Sequence, residues 1–407
     1  MNATLVMAGM GVIVLVGVLG TLLFERTKVP DILILMGLGL VLGPVLKWVD
    51  AAQLAPFADF VGLLALAIIL FEGGLNLDFI QVIRKSGAAL VLALTGFLLT
   101  TAAVAGVARL ALGWDWITSL FLGTALGGTS GAVVITLASH LSARAETKTL
   151  LNLESVLTDI FSIVMALSLI ELAQAPQADL TTAVRSLAQQ FSIAIVAALG
   201  FGLGWVPLLY TIQLRSYAYM ATLAVVLVLY GLVEMLTGSG PLATLIFGLI
   251  LTNSERYTQF FGMKERTILS EPMKRFNAEI AFFVRTFFFI YVGAVFTIKT
   301  VDFLFVWLSV VLLVVQLAMR YLATTLTVLV FRSERPDRWT IAAMAPRGLT
   351  STVLANMVAA FALGAVDRFS SLTVMQVFLT NLVTMAAVFF LERARFSVAP
   401  PLRSTSP

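Results

Sequence analysis

The sequence predicts an all-α polytopic membrane protein of about thirteen transmembrane helices, arranged as two inverted-topology repeats with crossing broken helices. Three observations carry this reading. Of the 407 residues, 60% are hydrophobic and only 12% charged, with a mean hydropathy of +1.01, which excludes a water-soluble domain of ordinary composition. Apolar runs of about 20 residues, enough for a helix to cross a hydrocarbon core of roughly 30 Å, succeed one another almost from end to end. They are too long and continuous for the alternating strands of about 10 residues that build a barrel. Finally, the chain resembles itself at an offset of about 220 residues, the mark of a repeat architecture.

The spans fall at 4–23, 31–46, 57–77, 88–112, 116–139, 149–173 and 188–209, then at 217–236, 240–253, 276–297, 303–331, 339–362 and 370–392. The first lacks a basic leader and a cleavage site, so it reads as a retained helix. With the N-terminus outside, eighteen of the twenty-six basic residues lie on one face, among them Arg26, Lys28, Arg84, Lys85 and those of the 254–275 loop. Lys47, Arg109, Arg185, Lys299 and Arg368 lie on the other. The bias makes the richer face cytoplasmic and points to a cell (inner or plasma) membrane protein with its C-terminus inside. A transmembrane domain over 1–397 then carries a short cytoplasmic tail at 398–407. Arg285, Arg320 and Arg347 remain inside spans and require partners or a cavity. The chain has no cysteine and a single histidine, His140, so thiolate and zinc chemistry have no basis and no cofactor is expected.

Four anchors define the repeat. Pro30 with the following LILMGLGL matches Pro241 with TLIFGLIL, and Phe71-Glu72-Gly73-Gly74 matches Tyr291-Val292-Gly293-Ala294. Thr129-Ser130 matches Thr350-Ser351, and Leu157-Thr158-Asp159 matches Leu379-Thr380-Asn381. Each anchor joins spans seven apart, an odd number, so the copies are inverted in the membrane. Repeat one covers about 1–175 and repeat two about 217–393, joined by a linker helix at about 188–209. Such inverted repeats are the build of secondary transporters, whose sites lie at the midplane where helices break.

The breaks are legible too. Gly127-Gly128-Thr129-Ser130-Gly131 interrupts one span and Pro346-Arg347-Gly348-Leu349-Thr350-Ser351-Thr352 another, and the freed backbone groups need protein or a wet cavity around them. Among the acidic residues of the spans, Asp59, Glu72, Glu234 and Glu279 lie near helix ends, with Glu72 able to bend toward a cytoplasmic funnel. Glu154 and Asp159 share one deep span, where a charge costs about 2.5–3.5 kcal/mol and marks a functional candidate. Five residues turn a helix through about 140°, so the two carboxylates face different ways. Asp159, Ser155 and Thr158 are expected to face the breaks, where Thr129, Ser130 and freed carbonyls offer oxygens to a hard monovalent cation. Glu154 is expected to point elsewhere, to a structural ion pair with Arg320 or Arg347. Arg285, among Phe282, Phe283, Phe287 and Phe288, reads either as a cation stacked on rings or as a fixed charge that modulates Asp159.

These residues resemble the monovalent cation:proton antiporter superfamily, which includes bacterial and animal sodium/proton exchangers. The most specific matches are Phe71-Glu72-Gly73-Gly74-Leu75, Gly127-Gly128-Thr129-Ser130-Gly131, Glu154-Ser155-Val156-Leu157-Thr158-Asp159 and Pro346-Arg347-Gly348-Leu349. The resemblance implies the sodium/proton antiporter fold, Asp159 as the ion or proton carrier, Glu154 as the ion-paired glutamate, Arg320 and Arg347 as the buried arginines, and Thr129 and Ser155 as ligands. It also implies a homodimer in which a mobile core moves against a dimerisation domain. Thr158 departs from the family's Asn or Asp, and Ser130 from the aspartate of many electroneutral members. The first departure removes the second carboxylate of electrogenic members and the second removes a ligand. One carboxylate carrying either a proton or a cation then implies one-for-one electroneutral exchange, with Na+ ahead of K+ as cargo. A channel, a sodium-coupled symporter and an intramembrane protease are the rival classes. The protease lacks a second deep aspartate, and no nucleic-acid partner is expected.

Overall fold

The computed structural model describes residues 11–20, 22, 31–48, 51–75, 87–174, 180–212, 217–254, 271–296, 302–331, 337–360 and 366–398. Its helices are α1 (Gly11–Gly20), α2 (Asp31–Leu40, prolonged by a π turn at Val41–Val45), α3 (Ala51–Leu75), α4 (Gly87–Leu112), α5 (Trp116–Ala125), α6 (Gly131–His140), α7 (Ala145–Gln174) and α8 (Leu180–Ile212). They continue as α9 (Ala218–Met235), α10 (Gly240–Thr252), α11 (Glu271–Ala294), α12 (Phe303–Val330), α13 (Arg338–Ala343), α14 (Leu349–Ala360) and α15 (Val366–Val398). Among the described residues there is no strand. Seven helices are long and apolar enough to cross a membrane by themselves, and five shorter apolar ones accompany them. The chain is therefore a multi-pass membrane protein. Within the described residues each expected span overlaps a helix, and the spans at 116–139 and 339–362 are each split in two, as α5–α6 and α13–α14. The expected linker helix at 188–209 is longer than anticipated, running as α8 from Leu180 to Ile212.

Local chemistry sets where several of these helices begin. Asp115 accepts from the Thr118 amide at 2.9 Å and starts α5. Asp302 does the same for Phe305 at 2.6 Å and starts α12. Ser239 caps α10, with Pro241 in its first turn. In each case an oxygen satisfies an amide that has no partner in the helix.

Two apolar clusters organise the interior. The larger spans α2–α7 and α11–α15, with Leu245 of α10. The smaller joins α8, α9 and α10 to the end of α3 through Phe71 and Phe247, whose rings stack 5.8 Å apart.

The repeat is visible in two glycine crossings. Where α2 meets α11, a Cβ on Gly39 would lie 2.1 Å from Ile290 O, and one on Gly293 would lie 2.2 Å from Met36 O. Where α10 meets α3, a Cβ on Gly248 would lie 2.5 Å from Phe71 O, and one on Gly74 would lie 2.2 Å from Leu245 O. Only glycine lets these backbones approach so closely, as expected for helices that associate by packing in lipid. The crossings also correct the alignment of the repeats. Gly39 and Gly248 play the same part, although the sequence anchor sets Gly37 against Gly248. Likewise Gly74, and not Gly73, answers Gly293. Apolar strings rich in Leu and Ile align equally well at neighbouring registers, and backbone contact decides between them.

Candidate ion-binding site

The two breaks meet. The Ser130 amide donates to Pro346 O at 2.8 Å, and a Cβ on Gly348 would lie only 2.1 Å from Ser130 Oγ. Glycine at 348 is thus what allows the second unwound segment to pass the first. Each break is held by a threonine from a neighbouring helix. Thr158 Oγ1 accepts from the Thr129 amide at 3.1 Å, and Thr380 Oγ1 accepts from the Arg347 amide at 3.1 Å. Asn381 Nδ2 adds a bond to Arg347 O at 2.7 Å. The repeated Leu-Thr-Asp and Leu-Thr-Asn segments therefore do equivalent work on the two broken helices.

Arg347 is fully buried and caps the buried C-terminal end of α5. Its Nη1 donates to Gly127 O at 3.1 Å and also to Gly128 O, while Nε donates to Gln316 Oε1 at 2.9 Å. Gln316 in turn donates to Gln376 Oε1 at 2.8 Å. A cation at a helix C-terminus opposes the dipole there and satisfies carbonyls that lack intrahelical partners.

Glu154 and Arg320 form the buried ion pair, with Nη1–Oε1 at 2.9 Å and Nη2–Oε2 at 3.3 Å. Arg320 Nε donates to Ile341 O at 3.0 Å, and Thr129 Oγ1 donates to Glu154 Oε1 at 2.9 Å. This chain of contacts ties α12, α7, α13 and the first break together. Fork-to-fork geometry and filled remaining lone pairs are what a desolvated pair requires.

Asp159 lies on a different face of α7, in a cavity of about 480 Å³. Glu72, Ser130, Asn152, Arg285 and Thr350 share its walls. Thr350 stands beside the Asp159 carboxylate on the same wall. A Cβ on Gly131 would lie 3.6 Å from Asp159 Oδ2 and 3.5 Å from Ser155 Oγ, so the start of α6 comes up against the carboxylate. The start of α14, at Leu349 and Thr350, lines the same space. Two half-helix N-termini therefore face Asp159, where their dipoles favour negative charge. A second groove, between α8 and α9, is lined almost wholly by apolar side chains such as Ile193, Val196 and Phe201. It offers a cation no charge.

Several expectations change. Arg347 is not a partner of Glu154: the carboxylate goes to Arg320, and Arg347 takes the freed carbonyls of Gly127 and Gly128, which were expected to serve the ion. Glu154 does not point away from the breaks, because Thr129 reaches it. Thr129 and Thr158 bond to each other at 3.1 Å and to Glu154 and Ser155 O respectively, so they brace the crossing and do not line the cavity. Ser130 does line it. Ser155 lies beside Asp159 and donates to Asn152 O at 2.9 Å. Arg285 lies on the cavity wall and, among the described residues, takes part in no ring stack. Glu72 shares that wall. Asp59's side chain lies outside the described residues. Thr350, Asn152, Gln316 and Gln376 are additions. Gln316 precedes Arg320 by four residues and Gln376 precedes Thr380 by four, so each pair shares a helix face, a signal available to a search of the spans for polar residues other than charged ones.

Comparisons with known proteins agree with this architecture. "Sodium/hydrogen exchanger 8" of Arabidopsis thaliana is 29% identical over 202 residues, covering 46% of this chain and 27% of that protein. "K(+)/H(+) antiporter NhaP2" of Shewanella sp. (strain ANA-3) is 26% identical over 393 residues, covering 93% of this chain and 64% of the relative. The chain thus spans less than two thirds of the length of either curated relative. The solved structure of the sodium proton antiporter MjNhaP1 from Methanocaldococcus jannaschii at pH 8 superposes with a TM-score of 0.80 at 20% identity, covering 97% of this chain and 99% of that one, which establishes the fold. The family described as "Sodium/hydrogen exchanger, transmembrane" matches residues 11–392, and the chain belongs to that family.

Proposed function

We propose that this protein is a secondary antiporter that exchanges a monovalent cation for a proton, one for one, with Asp159 carrying either in turn. The observation that carries the reading is the charge balance around the crossing. Glu154 is neutralised by Arg320 and Glu72 is within electrostatic reach of Arg285. Asp159 has Thr350 and two helix N-termini beside it and, among the described residues, forms no ion pair. It is the carboxylate left to hold a cargo charge, and one cargo charge per passage makes the cycle electroneutral. Asp159, Ser130, Thr350 and the adjacent Ser155 supply the oxygens. Sodium is the first expectation for the cargo, and the printed names of the NhaP2 relatives make potassium the alternative.

The same reading places the protein in the cell membrane with its C-terminus in the cytoplasm, and treats 1–175 and 217–393 as the repeats of one transmembrane domain that works as a homodimer. The test is exchange in proteoliposomes loaded with a pH-sensitive dye. Adding Na+, K+ or Li+ outside should move protons at rates that differ among the cations and stay unchanged, within error, when a membrane potential is imposed, by valinomycin with K+ for the Na+ and Li+ arms and by a thiocyanate gradient for the K+ arm. Flux without proton movement would instead favour a channel.

A further inference from the structure

Three arginines lie within the helical core, and their engagements differ. Arg320 is spent on Glu154 and Ile341 O, and Arg347 on Gln316 and two carbonyls of the first break. Arg285 is half-buried on the wall of the Asp159 cavity. Its Nε is buried without a hydrogen-bond partner among the described residues. It stands on α11, which packs against α3, the helix that brings Glu72 to the same wall. Glu72 is likewise half-buried, and the guanidinium is within electrostatic reach of it.

We infer that Arg285 is the resident counter-cation of Glu72 and fixes at one the number of negative charges that the cavity presents to a transported cation. Among the described residues the cavity wall carries three charged groups, Asp159, Glu72 and Arg285, and their sum is a single negative charge. Without Arg285 a cation would meet two carboxylates in one poorly screened space. Its attraction would rise steeply, because Coulomb energies grow as water is excluded. Without Glu72 the guanidinium would face Asp159 alone and oppose any arriving cation. Arg285 is on this account a stoichiometry-setting residue that acts through Glu72, and it touches neither cargo nor proton. The inference rests on the antiport reading above.

The experiment compares wild type with Arg285→Gln, Arg285→Lys, Glu72→Gln and the double variant E72Q/R285Q in proteoliposomes, recording apparent KM for the cation and the effect of an imposed membrane potential. Removing one compensating charge within several ångströms of the cation, in a medium of intermediate dielectric, shifts affinity on the order of tenfold or more. Arg285→Gln should therefore lower the apparent KM about tenfold and make the rate sensitive to potential. Glu72→Gln should raise KM by a similar factor, adding R285Q should reverse most of that rise, and Arg285→Lys should behave as wild type. Equal KM and continued insensitivity to potential in Arg285→Gln overturn the inference, as does a double variant that keeps the raised KM of Glu72→Gln. Should Arg285→Gln fail to assemble, the reversal in E72Q/R285Q decides the question alone. Absence of proton-coupled exchange in the wild type is a different result and removes the antiport reading itself.

Discussion

Asp159→Asn reduces cation-driven proton movement to the level of protein-free liposomes, while the variant purifies and melts like the wild type. The side chain keeps its volume and an accepting oxygen beside Thr350, so the packing of α7 against α6 and α14 has no reason to change. The repeat supplies an internal precedent. Asn381, its counterpart, is fully buried and bonds through Nδ2 to Arg347 O and Val377 O, so this scaffold already accommodates an asparagine at the equivalent place. What Asp159→Asn removes is the charge that two half-helix N-termini are aimed at. The measurement is dye-reported exchange alongside a thermal melt in detergent. A variant that still exchanges at more than a few per cent of the wild-type rate would move the carrier elsewhere.

Arg320→Met has the largest expected effect on stability. It leaves Glu154 buried and uncompensated, and frees Ile341 O at the end of α13. Removing one partner of a buried pair costs about 3–5 kcal/mol, far more than the pair is worth against apolar replacements. The melting temperature and the folded yield should both fall sharply. The double variant E154Q/R320M should recover a large part of the loss, because the stranded charge is gone. A single variant as stable as wild type would mean that the ion pair does not brace the crossing.

Much of this was legible from composition and punctuation. Gly127-Gly128 and Pro346-Arg347-Gly348 marked both breaks because glycine and proline disrupt a helix wherever it lies, and the Leu-Thr anchor marked their symmetry, whereas the Thr-Ser anchor is out of register: Thr129-Ser130 precede α6 and Thr350-Ser351 lie inside α14. The 140° between Glu154 and Asp159 correctly separated their faces. The same arithmetic, carried one step further, assigns Thr158 to Glu154: four residues put it about 40° from the glutamate and 100° from the aspartate. Thr158 accordingly braces Thr129 and does not line the cavity. The choice between Arg320 and Arg347 was not legible, since it depends on where α12 lies against α7, a relation between elements 166 residues apart in the chain. Glu72 was read as a helix-end carboxylate because it stands near the end of α3. That end lies against the cavity wall, and only the α3–α10 and α3–α11 packing reveals it. The glycine registers were hidden for a similar reason, since an apolar helix carries little information about which of its glycines meets another backbone.

The claim on which the rest depends is that cation and proton compete for Asp159. The most direct measurement is the apparent KM for the cation as a function of pH in proteoliposomes, with the maximal rate determined at each pH. Competition at one carboxylate predicts that KM rises as pH falls, approaching about tenfold per unit on the acid side of the site's titration by mass action, while saturating cation restores the rate. A KM that stays constant across pH, with only the maximal rate changing, would contradict a shared site.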